Sequence, residues 1–96
     1  MAMSSVERRL ARTTTRLQSA RTELVVLDEQ LAVLASDADD ARVRALVSEA
    51  SHDDREHRQA QRHADKMASS RAALAATIAG LEGTIDDLLD RLVPTR

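Results

Sequence analysis

"VERRLARTTTRLQSARTELVVLDEQLAVL", residues 6–34, puts Val6, Leu10, Thr13, Leu17, Ala20, Leu24, Leu27, Leu31 and Leu34 at spacings that alternate four and three. A lone amphipathic helix follows a period of ~3.6 and drifts off such a repeat within a few heptads. A strict heptad keeps one seam turned towards one partner helix, and Leu at 10, 17, 24 and 31 makes every complete a position a leucine. The stretch predicts a coiled-coil helix over about residues 4–35.

The C-terminal half repeats the pattern. His57, Ala60, Ala64, Met67, Arg71, Leu74, Ile78, Leu81, Ile85, Leu88 and Leu92 again alternate three and four, which predicts a second long helix over about 52–93. Gly80 and Gly83 fall outside the seam, so the heptad runs through them in phase. Each weakens a helix by ~1 kcal/mol relative to Ala without breaking it. The alternative is a break at "TIDD", with Thr84 capping a short final helix, and Pro94 is the expected stop.

Composition agrees with helix on helix. The 96 residues hold 12 Leu and 17 Ala but no Phe, Tyr or Trp, too little bulk for a thick core yet suited to a narrow seam. Two Gly and one Pro leave almost nothing to punctuate strands. The expected fold is all-α: one domain over 1–96, an antiparallel coiled-coil hairpin with a short third helix between the two long ones. With no Cys, no apolar leader and no apolar run of ~20 residues, the expected location is cytoplasmic.

Charge blocks set the orientation. Residues 1–22 carry five Arg and one Glu, whereas 23–41 carry six acids and no base. On the return, 55–71 has five bases and two acids, and 72–92 has four acids and one Arg. Antiparallel pairing sets basic against acidic at both ends; parallel pairing stacks like on like. Leu17 then lies level with Leu74 or, after a heptad slip, with Leu81, and the slipped register is preferred because it brings the termini level.

Between the long helices stands "SDADDARVRALVSEASHDD". Val43, Leu46, Val47 and Ala50 form a stripe out of phase with the first seam. Ser36-x-x-Asp39 and Ser51-x-x-Asp54 have the spacing of capping boxes. These features predict a separate helix over about 38–49. It either continues helix 1 after a kink or folds back onto Val25, Val26 and Val33. The acids Asp37, Asp39 and Asp40 are explained first as helix-start residues and second as a surface for a basic partner. In outline the chain resembles bacterial transcript-cleavage and secondary-channel factors, helical hairpins that end in acidic residues. That likeness of shape implies an accessory factor of transcription, offering an acidic kink to a larger machine.

Other groupings point less far. His52, His57 and His63 lie among Glu49, Asp53, Glu56 and Asp65, and Asp53 with His57 has the i,i+4 spacing of two ligands on one helix face. Surface ion pairing is the simpler expectation, and a metal- or ligand-responsive regulator the alternative. Arg71 in the seam is expected to pair with an acid such as Glu23 or Asp28. A net charge of −2 and the lack of aromatics argue against nucleic acid. No nucleophile–base pair, glycine-rich loop or carboxylate pair in a pocket is visible, so neither an enzyme nor a cofactor is expected.

The expected function is a coiled-coil interaction module, a homodimeric adaptor or regulator. Val25, Val26, Val33 and Leu89 lie outside the seams and are the expected contact residues, together with Asp37, Asp39 and Asp40.

Overall fold

The computed structural model describes residues 2–93, and Pro94, the expected helix stop, lies outside them. Two helices account for almost all of it: α1, Ser5–Val47, and α2, Ser51–Leu92. There is no strand among the described residues. The chain divides into two compact units. The terminal unit joins the chain up to Leu24 with the chain from Ala73 onward, and the loop unit is Val25–Ala72.

α1 begins with a reciprocal cap. The Ser4 N–H donates to Glu7 Oε1 at 3.2 Å, and the Glu7 N–H donates to Ser4 Oγ at 3.1 Å. Two N–H groups that the first turn leaves without helical partners are thereby satisfied. The connection at 48–50 is equally local. Ser48 Oγ accepts the Ala50 N–H at 3.0 Å, and the Ala50 carbonyl accepts the Asp53 N–H at 3.2 Å, which opens α2.

The terminal unit is held by branched aliphatic side chains. Leu17, Ala20, Ile78 and Leu81 form its buried cluster, and Leu24, Leu74 and Ile85 pack against it. Leu88, only 1% exposed, is the most deeply buried side chain. Thr13 is buried at a seam position, where its hydroxyl donates to the Arg9 carbonyl at 2.8 Å and so carries no unsatisfied group inward. Arg21 Nη2 meets Glu82 Oε2 at 2.9 Å, an ion pair between the basic and acidic blocks. It sets residue 21 level with 82, which places Leu17 near the Leu81–Ile85 turn rather than at Leu74.

The loop unit is a two-helix hairpin. Asp28 pairs with Arg71, while nearer the connection Asp37, Ala41, Glu56 and Ala60 line one cleft, so the helices run antiparallel. Its seam is built from small side chains: Ala38 and Ala41 are each 3% exposed, and Ala64 is buried opposite them.

The separate helix expected over 38–49 does not exist; α1 runs unbroken to Val47, neither kinked into a new element nor folded back. The reason lies in the seam. After Leu34 the buried or half-buried positions are Ala38, Ala41, Ala45 and Ser48, which continue the four–three alternation begun at Val6. The out-of-phase stripe is the opposite face, with Val43, Leu46 and Val47 all exposed. Ser36, matching a capping motif, sits mid-helix with its backbone already in the helical ladder. α2 likewise continues through Gly80 and Gly83; the Thr84 hydroxyl donates back to the Gly80 carbonyl at 3.1 Å and caps nothing.

Candidate functional site

With Leu24, Leu31 and Ala38 at a and Leu27, Leu34 and Ala41 at d, the rest of α1 in the loop unit sorts by heptad position. Positions b, c and f lie opposite the a/d seam. They hold Val25, Val26, Glu29, Ala32, Val33, Ser36, Asp39, Asp40, Val43, Leu46 and Val47, and every one is exposed. Val33 is 61% exposed, Leu46 73% and Val47 83%. A helix face turned to water normally carries polar and charged groups. Here one helix is apolar on both faces: a buried seam of leucines and alanines, and an outer face of valines and a leucine broken by three carboxylates.

The structure therefore brings Val25, Val26, Val33, Asp39 and Asp40 onto one surface and adds Glu29, together with Val43, Leu46 and Val47, which the sequence assigned to a separate helix. Running the heptad through the alanines would have found them. Asp37, at a g position, lies off this face and lines the cleft with Arg44, Glu56 and His63, a cleft that Asp40 also borders from the edge of the face. Leu89 belongs to the terminal unit, exposed beside Leu92 and Val93. Asp37, Asp39 and Asp40 do not crown the hairpin: about two turns of helix separate Asp40 from the connection, which Glu49, Asp53 and Asp54 flank instead.

Charged groups along the hairpin are mostly solvated. Arg71 Nε donates to Asp28 Oδ1 at 2.5 Å, resolving the sequence choice between Glu23 and Asp28. That hydrogen bond, and then the Asp28 charge, raises the Arg71 pKa further above its ordinary value against a small opposing effect of desolvation. The folded state thus favours charged Arg71, a contribution present at all neutral pH values and lost only as pH climbs through the raised pKa.

Searches against protein-family models, characterised proteins and solved structures find no match to this chain. The site must be read from its own chemistry.

At the start of α2, His52, Asp53 and Glu56 each bring a ligand atom to within 4.8 Å of the others. His52 Nε2 and Asp53 Oδ1 are 3.2 Å apart. One imidazole and two carboxylates can serve a divalent ion that keeps water in its remaining positions. His57, which spacing had paired with Asp53, stands outside this trio and half-buried in the seam. The remaining clefts are shallow; Leu34 and Met67 floor an apolar one flanked by His63, Lys66 and Ser70. No helix among the described residues is long and apolar enough to cross a membrane.

Proposed function

We propose that this chain is a non-enzymatic coiled-coil interaction module, an adaptor or regulator that works through helix-on-helix contact and self-associates as a homodimer. The observation that carries the reading is the inverted economy of the loop unit. It buries alanines while Val25, Val26, Val33, Val43, Leu46 and Val47 stay exposed on one face of α1. Contiguous apolar surface of this kind on a small chain marks contact with another macromolecule.

The terminal unit offers the surface for self-association. Leu89, Leu92 and Val93 are exposed near the end of α2. Around them the unit presents both signs of charge, Arg8, Arg9 and Arg12 on α1 and Asp86, Asp87 and Asp90 on α2, all exposed. A twofold copy can set one block against the other, and twofold pairing is the commonest solution for identical chains. Sedimentation equilibrium at micromolar concentration tests this. A dimer that Leu89→Asp weakens is expected, and a clean monomer of 10.5 kDa overturns the homodimer.

The His52–Asp53–Glu56 trio favours a second reading, a metal-responsive regulator. It requires that Zn²⁺ or Mn²⁺ raise the melting temperature and that His52→Ala abolish the rise. Unchanged melting in excess metal removes it.

A further inference from the structure

We propose that the outer face of α1 in the loop unit docks an amphipathic helix whose aliphatic residues are interrupted by Lys or Arg, and not a second copy of this chain. The inference rests on the reading of the chain as an interaction module and specifies the partner of that face.

Charge decides the occupant. Between Val25 and Val47 the b, c and f positions carry Glu29, Asp39 and Asp40 and no base. The nearest bases, Arg42 and Arg44, fall at the flanking e and g positions. None of the three carboxylates has an ion-pair partner among the described residues, whereas Asp28, one position from Glu29, is taken up by Arg71. A second copy laid on this face parallel sets Asp39 and Asp40 on themselves. Laid antiparallel about Ser36, it sets Asp39 against Val33 and Asp40 against Ala32, with no base opposite either carboxylate. The first arrangement brings like charges together and the second buries carboxylates against apolar side chains without a base, and both are unfavourable as water is excluded.

A basic amphipathic helix meets none of these costs. The apolar positions come as Val25 and Val26, then Ala32 and Val33, then Val43, Leu46 and Val47, with Glu29 in the first gap and Asp39 and Asp40 in the second. The face extends ~33 Å at 1.5 Å per residue, about six helical turns. Its complement is a helix of that length with aliphatic residues in three groups, a base in one gap and two in the other. Recognition of an amphipathic helix by its apolar face, with charge fixing register, is an established mode of helix binding.

Two synthetic helices of about 23 residues test the proposal. Both carry aliphatic residues opposite the three apolar groups; one carries Lys opposite Glu29, Asp39 and Asp40, and its twin carries Glu there. Titrated against the full chain at low salt, the Lys peptide is expected to bind at least about tenfold more tightly, a preference that shrinks as salt rises. Asp39→Lys with Asp40→Lys should reverse the order of the two peptides. Val33→Asp should abolish peptide binding while leaving self-association in the centrifuge unchanged. Equal binding of both peptides, or of neither, overturns the proposal, as does a Val33→Asp chain that turns monomeric, since the second copy would then be the occupant. A dimer that binds no peptide defeats this inference alone. A folded chain that neither self-associates nor binds peptide defeats the interaction reading with it.

Discussion

The terminal unit and the loop unit use one heptad grammar with different vocabularies. The terminal unit fills its seam with Leu17, Ile78, Leu81 and Leu88, and the loop unit fills much of its own with Ala38, Ala41 and Ala64. Each CH₂ withdrawn from water is worth about 0.8 kcal/mol, so a leucine layer stabilises far more than an alanine layer. Small side chains let two helices approach closely, but they leave a thin interface. The outer face reverses the bias. The unit with the weaker seam carries most of the exposed large apolar side chains. Seam strength and exposed apolar surface are thus divided between the two units.

Substitution in the two seams is the sharpest way to break this comparison. Leu88→Ala should lower stability by about 2–5 kcal/mol in urea titration, the usual cost of a large-to-small change at a fully buried site. Its counterpart Ala41→Leu should also destabilise, by about 1–3 kcal/mol, because the alanine seam has no room for the larger side chain. If Ala41→Leu instead stabilised, the loop unit would be loosely packed and the contrast would fail. Native-state hydrogen exchange supplies the matching map: amides of 38–60 should exchange through lower-energy openings than those of 13–24 and 74–88.

Smaller effects sharpen it. Gly80→Ala and Gly83→Ala should each stabilise the terminal unit, by about 0.5–1 kcal/mol, since a Cβ at either position would meet no atom within 4 Å. Asp39→Asn with Asp40→Asn should move stability by no more than about 0.5 kcal/mol, because both are exposed in mid-helix. A larger loss would revive a structural role for those acids.

Fold class and both long helices were legible from leucine spacing, because a leucine every seven residues is strong hydrophobic contrast. The charge blocks were legible for the same reason: Arg21–Glu82 and Asp28–Arg71 join the blocks that antiparallel pairing sets together. The third helix was a misreading with a physical origin. Alanine scarcely differs from its neighbours in hydropathy, so the seam through Ala38, Ala41 and Ala45 faded from the pattern while Val43, Leu46 and Val47 announced a false phase. Capping motifs misled in the same place. Ser36-x-x-Asp39 has the spacing but lies inside a continuous helix, whereas Ser4-x-x-Glu7, passed over near the N-terminus, makes both reciprocal hydrogen bonds. The exposed apolar face of α1 was half legible: its valines stood out as surplus to the seam, but the phase error hid Leu46 and Val47.

The short connection closed by Ser48 has a kinetic consequence. Pairing across the loop unit begins with residues close in sequence, where loop closure costs least entropy. The Arg21–Glu82 contact of the terminal unit spans 61 residues and can close only after the intervening chain is organised. Nucleation therefore belongs to the alanine hairpin and durability to the leucine seam. Substitutions near the connection should slow refolding, and those around Leu88 should chiefly speed unfolding. The exposed valine face of α1 then belongs to the unit that forms first.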